Sequence, residues 1–416
     1  MPTIASPPGL PLKFSKRTNA TAVIKTSVPR IKAFRALRYP PGTDLGLVSA
    51  PPYDVIAPDE RDRLEALDSH NIIRITLGAG QRDDDDTNNR YTRAASYLRD
   101  WLDSGILVAD EEPHLYLLRS DFTAEGQSRS TAGVVAALEL EELGQGGVFG
   151  HEKTRPGPKA DRLALMRTTR ANMEPLWFFA SGALDGFREL VDELEQVEPL
   201  ADVTDPLGVR HRAWTLPDDR AEAMEKVVAE TPLVVADGHH RYETSLTYRN
   251  ERRAVDGPGP WDSTLAIISD PVQFAPALSA IHRLSSNLSP SQLSGLDPFD
   301  GSFHDLRQAV EEAGPGTIGV ASSEGRWTVK ARGEVDTVWL AEQILEPNRA
   351  EVNYEHDPRI VAQAVDNGDL AFLMAPVPVG LVAEKALAGV RLPPKTTLFW
   401  PKPRTGLLMR GLDPDN

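Results

Sequence analysis

The sequence predicts a mixed α/β (α+β) protein built from more than one module. Short apolar runs of strand length recur from Leu115 to Ala375. Segments with helical three- and four-residue apolar spacing separate several of them. At 416 residues the chain is also too long for a single compact core. Hydrophobic residues make up 40% and charged residues 25%, enough apolar side chains to fill such cores without disorder.

Taken in order, residues 1–28 read as a loose tail rich in Pro, Ser and Thr, and structure is expected to begin near Ile31. Pro51-Pro52-Tyr53-Asp54-Val55-Ile56 starts extended, because proline fixes its own backbone and restricts the residue before it. A helix is predicted from Asp59 towards Leu67, and Asp83 to Asp86 form a solvated loop that caps the next helix. In that helix Tyr91, Ala95, Leu98 and Leu102 share a face, and Gly105 stops it. Strands are predicted at Leu115–Leu118, Gly133–Leu140, Leu176–Ala180, Leu233–Ala236 and Leu265–Ile268, with helices at Lys159–Asn172, Phe187–Leu194 and Asp218–Ala229. Further strands are expected at Thr317–Ala321, Trp327–Ala331 and Phe372–Ala375, while Asp202–Gly208 and Asp256–Trp261 read as surface loops or joints. The expected division is a tail at 1–28, a core with an insertion at 29–285, and a C-terminal α/β extension at 286–416.

The formal net charge is −16, a field that repels nucleic acid and anionic lipid. A phosphate ligand must then be drawn in by a local basic pocket. With no cysteine there is no disulfide, thiolate metal site or cysteine nucleophile. Neither a signal peptide nor a run of roughly 20 apolar residues for a membrane span is present, so a cytoplasmic location is expected.

The apolar run Thr231 to Ala236 stops at Asp237-Gly238, and a helix is predicted from Arg241 to Arg253. A strand, a glycine turn and a helix start bring free backbone N–H groups and the positive end of the helix dipole together. His239, His240 and Arg241 add donors for phosphate oxygens, and Asp237 can orient a histidine or hold magnesium through water. The plainer alternative has Asp237 capping the helix and the histidines filling a polar corner. Adjacent histidines on a helix do not converge on one ion, which disfavours zinc. Lys159, Arg162 and Arg170 can share one face of a helix whose other face holds Leu163 and Met166; that basic face is either a phosphate contact or simply solvated. His282-Arg283 is either a core-edge pair or an anion contact. Lys395 and Lys402 flank a proline-braced strand and can equally be plain surface lysines.

Three segments carry a resemblance: Pro51 to Ile56, Gly150-His151-Glu152-Lys153-Thr154, and Ala236 to Thr244. They look like the signatures of one bacterial family of unknown-function proteins. The likeness continues through Gly157-Pro158-Lys159, Asp161-Arg162, Thr169 to Asn172, His282-Arg283, Pro393 to Thr397 and Pro401-Lys402. That family resembles the ParB/sulfiredoxin superfamily, which includes ParB-type nucleotide-binding proteins and free-serine kinases. The resemblance implies a ParB/sulfiredoxin-like core with large insertions and a C-terminal extension. It implies that Asp237 to Arg241 correspond to a phosphate-binding box, with Pro52-Tyr53-Asp54 near an earlier box. The two boxes stand much further apart here than in the compact superfamily pattern.

Under the resemblance, His151-Glu152-Lys153-Thr154, which follows Gly146, Gly147 and Gly150 on a loop, joins the site. Glu152 then becomes a candidate base with Asp54 its alternative, His151 a catalytic candidate, and Lys153 a phosphate partner alongside Lys159, Arg162 and Arg170. No Walker loop, dinucleotide-binding glycine turn, metalloprotease helix or protein-kinase catalytic loop occurs. The function expected is an ATP- and magnesium-dependent small-molecule kinase, and serine as substrate comes from the resemblance alone. The alternative is a nucleotide-binding regulatory switch, for which a homodimer is the expected partner. No recognition helix or basic stripe supports DNA binding.

Overall fold

The computed structural model of the protein describes residues 28–124, 126–154 and 156–413, and gives no side-chain description at 156–158. The tail expected at 1–28 lies, but for Val28, outside the described residues. The fold is mixed α/β. Among the described residues no helix is long and apolar enough to cross a membrane.

A nine-stranded sheet forms the centre. Its order is Val148–Phe149, Leu233–Asp237, Leu176–Ala180, Ser263–Ser269, Gln127–Glu139, Tyr116–Ala124, Arg210–Thr215 and Ala201–Thr204, with Ile31–Lys32 added along Gln127–Glu139. Two pairings are parallel, Leu233–Asp237 with Val148–Phe149 and Ser263–Ser269 with Leu176–Ala180; the rest are antiparallel. Both faces are covered. Val134, Ala136 and Leu138 point into one core with Phe178, Val235 and Tyr242, whereas Val135 and Ala137 point into another with Trp177, Val234 and Phe399. Two buried faces explain why these strands read as continuous apolar runs instead of alternating ones. Leu233, Val234 and Val235 are each fully buried, which contributes about 2 kcal/mol per side chain.

Helices Phe187–Leu194, Asp218–Ala229 and His239–Asp256 cover the first face through Leu190, Met224, Val228 and Leu246. Helix Val379–Leu387 covers the second through Val382 and Ala386. A six-stranded sheet, ordered Asp297–Pro298, Gly325–Lys330, Thr317–Ser322, Leu370–Leu373, His282–Ser285 and Asn353–Glu355, has its own core with helices Phe303–Ala313 and Pro358–Asp366. Residues past 286 also return to the first body. Leu398–Trp400 pairs with Ala277–Ser279, and Met409–Gly411 pairs with both Ala36–Leu37 and Ala171–Asn172.

Three local expectations differ from the structure. Asp202–Gly208 is not all loop: Ala201–Thr204 is an edge strand that buries Ala201 and Val203 and exposes Asp202 and Thr204. The helix expected at Lys159–Asn172 spans Pro156–Thr169, because Arg170 turns to a left-handed φ of 48° and Ala171–Asn172 joins a strand. Helix Arg90–Asp103 is capped by Asn89 and not by the aspartate run; Asp84 instead pairs with Arg93.

Candidate functional site

Strand Leu233–Asp237 ends at Gly238, which has a left-handed φ of 98° and opens helix His239–Asp256. A Cβ at Gly238 would stand 2.6 Å from Leu176 Cδ2, so both backbone and space demand glycine. The turn aims Asp237 between two cations. Its Oδ2 accepts from Arg241 Nη2 at 2.8 Å and its Oδ1 from Lys402 Nζ at 2.7 Å. Lys402 also donates to Asp54 Oδ2 at 2.7 Å, while Arg241 Nη1 donates to Glu174 Oε2 at 3.2 Å and to the Pro175 carbonyl at 3.0 Å. Glu174 Oε1 accepts from the Tyr53 N–H at 3.0 Å and from Thr405 Oγ1 at 3.3 Å. Asp54, Lys402, Asp237, Arg241 and Glu174 thus form one chain of charge-assisted hydrogen bonds.

The electrostatics follow from this placement. Burial alone would raise the Asp237 carboxyl, but Lys402 and Arg241 overcome it and hold that group well below the usual carboxylate range. Burial would likewise lower Lys402 and Arg241, yet their acidic partners keep both firmly charged. Glu152 behaves oppositely. Burial pushes it up to about 7, with Asp237 adding in the same direction and Lys395 and Arg283 offsetting part. The backbone N–H of Lys395 donates to its carboxylate, and Glu152 bridges to Leu392 in parallel.

The histidines are placed differently from their sequence expectation as phosphate donors. His239 is buried and faces His151 edge-on, ring centroids 4.5 Å apart at 84°. The His151 N–H donates to His239 Nε2 at 3.2 Å, so that nitrogen is an acceptor and carries no proton. His151 itself contacts the Val235 carbonyl at 2.8 Å and Thr397 Oγ1 at 2.9 Å. Burial holds His151 at about 4 and His239 well below its ordinary value, so both are neutral near pH 7. They fasten the turn to the C-terminal segment. His240 is partly exposed on the first turn of the helix.

Of the other expected residues, Asp54 joins the network directly. Lys153 is exposed, with its N–H donating to the Leu392 carbonyl at 3.2 Å. Lys159 pairs with Glu243 at 2.8 Å, and Glu243 also accepts from Thr154 Oγ1 at 2.7 Å. Arg162 is buried, stacks 4.1 Å from the Tyr53 ring centroid and donates to the Thr76 carbonyl, which braces the Tyr53-Asp54 segment. Arg170 is half exposed and pairs with Asp413 at 3.2 Å, contacts that do not bring it to the network. His282 is buried and accepts from the Met374 N–H at 3.1 Å. Arg283 is buried, lies 5.5 Å from the Tyr354 ring centroid and donates to the Lys395 carbonyl at 3.0 Å; burial pulls it down to about 10. Lys395 is exposed at a left-handed φ of 60°. Of the glycines before His151, Gly147 is packed against Pro29 and Gly150 against the Arg391 guanidinium, each closer than a Cβ would allow without a shift.

Sequence reasoning left Lys402, Glu174, Thr397 and Thr405 out of the site. Thr397 and Lys402 carried a signal, Thr397 in the family-like segment from Pro393 and Lys402 braced by Pro401 and Pro403. The network opens through Asp54 and Lys402 into a cleft of about 940 Å³.

A strand–glycine–helix turn that holds a half-buried acid between two cations, on a mixed α/β frame, is the candidate functional site. The chain belongs to the family described as "Protein of unknown function (DUF1015)", whose model matches residues 31–347. Lys395 and Lys402 lie beyond that match. No curated protein matches the chain. Solved structures similar to it include a free serine kinase variant in complex with ADP, 12% identical with a TM-score of 0.38 over 65% of this chain and 90% of that one. A conserved hypothetical protein from Pyrococcus furiosus is 11% identical with a TM-score of 0.37, over 65% of this chain and 93% of that one. C-terminally truncated SbnI from Staphylococcus aureus is 10% identical with a TM-score of 0.33, over 64% and 82%. Likeness of that order transfers no residue role.

Proposed function

We propose that the protein is an ATP-dependent kinase of a small hydroxyl compound, with free L-serine the first acceptor to test. The observation that carries this reading is the turn that sets Asp237 between Arg241 at 2.8 Å and Lys402 at 2.7 Å beside the cleft, with a second carboxyl, Glu152, raised by burial. Glu152 is held at about 7, where a general base works best near neutral pH, whereas Asp237 stays ionised between Lys402 and Arg241. In the transfer, the acceptor hydroxyl oxygen bonds to the γ-phosphorus as the bond from that phosphorus to the β–γ bridging oxygen breaks. ADP leaves, and Glu152 takes the hydroxyl proton. Lys402, Arg241 and the start of helix His239–Asp256 offset the phosphate charge. The resemblance of Asp237 to Arg241 to the ParB/sulfiredoxin phosphate-binding box supports the same assignment.

Magnesium prefers oxygen ligands and keeps several waters and phosphate oxygens in its shell. Among the described residues no group of three or more acid or histidine ligands occurs. The chain therefore fits an ion brought by the nucleotide and contacted by Asp54 or Asp237, not a cage of its own. Such an ion would supply further neutralisation of phosphate charge.

A second reading is a nucleotide-binding switch without transfer. It is favoured by one feature: Arg241 and Lys402 already have carboxylate partners, so phosphate entry re-pairs the network and can signal occupancy. The two readings separate in one experiment. Purified protein is incubated with magnesium, ATP or ADP, and a panel of free hydroxy amino acids, and products are followed by mass spectrometry. O-phosphoserine above the enzyme-free control supports the kinase; nucleotide binding with no phosphorylated acceptor supports the switch. Glu152→Gln is expected to keep nucleotide affinity and to lose about 100-fold or more in turnover, the usual worth of a positioned base. Undiminished turnover would move the base to Asp54.

A further inference from the structure

The cleft beside the charged network has two unlike halves on one short stretch of chain. Leu398, Trp400, Lys402 and Arg404 all line it. Leu398–Trp400 is fixed by pairing with Ala277–Ser279, and the Trp400 ring stands edge-to-face on Phe122, centroids 4.8 Å apart at 89°. Val55 and Ile281 also line the cleft. Two residues beyond Trp400, Lys402 places its ammonium 2.7 Å from both Asp54 and Asp237. An aromatic wall therefore runs directly into an ion-paired end, where an anionic head can take the place of the Asp54 carboxylate on Lys402. The ligand chemistry complementary to that order is a planar ring joined to an anionic head. The volume of about 940 Å³ lies within the roughly 300–1,000 Å³ of small-molecule sites.

We infer that Trp400 is the platform for the nucleobase, with the phosphates of the same nucleotide directed towards Lys402. This inference rests on the nucleotide-binding reading of the site and adds to it the place of the base. Stacking on an indole face needs no particular base edge, so the platform sets affinity more than base identity. Phe122 presets the ring, which leaves little for the nucleotide to order on binding.

Calorimetric titration of the whole protein with ATP and, separately, with inorganic tripolyphosphate tests the idea. Trp400→Ala is expected to weaken ATP binding about tenfold or more, the loss of one base–aromatic stack, and to leave tripolyphosphate affinity unchanged. Trp400→Phe should retain most of the ATP affinity. Tripolyphosphate binding reports that the Lys402 end is still formed; if Trp400→Ala does not fold, Trp400→Leu is judged by the same two ligands. Unchanged ATP affinity, or equal loss for both ligands, overturns the inference and leaves the nucleotide reading standing. A raised acceptor KM at unchanged ATP affinity would assign the wall to the acceptor instead. If the unaltered protein binds neither ligand, the nucleotide reading falls and this inference falls with it.

Discussion

The turn at 237–241 reaches the site on a strand and an 18-residue helix, whereas residues 392–405 reach it with a three-residue strand and irregular chain. The turn contributes Asp237 and Arg241. The irregular segment touches every acid of the site: the Lys395 N–H meets Glu152, Lys402 meets Asp54 and Asp237, and Thr405 meets Glu174. It also binds His151 through Thr397. Regular structure therefore fixes Asp237 and Arg241, while the irregular segment joins them to the other acids of the site.

The largest test of that division removes the cation shared between the acids. In Lys402→Met, Asp237 keeps Arg241 but Asp54 and Asp237 lose the ammonium that joins them, and stability should fall by about 3 kcal/mol in urea denaturation. A loss below about 1 kcal/mol would mean that the segment merely lies against the site. Adding Asp237→Asn should recover part of the loss, because the repulsion disappears with the charge.

The next effect is in pH. Glu152 is raised to about 7 from 4.5, so its stabilising share is complete below 4.5 and is lost as pH rises through 7. His151 and His282 are lowered to about 4 from 6.5, so theirs is complete above 6.5 and is lost as pH falls through 4. Between pH 4.5 and 6.5 the two tendencies oppose. Glu152→Gln removes one side, and stability should then climb with pH more steeply than in the unaltered protein, by up to about 1.4 kcal/mol per unit. Identical slopes in denaturation series over that range would show that Glu152 titrates normally.

The smallest effect belongs to Lys159. Its pair with Glu243 is one-third exposed on both sides, so Lys159→Gln should cost less than about 1 kcal/mol. Nucleotide affinity should change less than in Lys402→Met; an equal change would draw the basic helix face into the site.

The same contrast explains what was legible beforehand. Strand Leu176–Ala180 and helices Phe187–Leu194 and Asp218–Ala229 occur where their periodicity placed them, because local patterns report local structure. The turn at Asp237-Gly238 was legible for the same reason. Lys402 was not, since its partner Asp237 is 165 residues away and a lysine between prolines reads as surface. The sequence offers the turn histidines either as phosphate donors or as filling for a polar corner, and it cannot choose because the burial that neutralises His239 is a tertiary property. Ala201–Thr204 was hidden by its outward-facing Asp202.

The late position of Lys402 has a consequence during synthesis. Asp54 and Asp237 both leave the ribosome before the lysine they share, and Met409–Gly411, which ties the chain back to residues 36–37, leaves later still. A nascent chain cut short before residue 402 would hold the acids without that ammonium between them. In such a fragment Asp237 would keep Arg241 as a partner, so the Asp54 side of the network is joined to the turn only after residue 402 has emerged.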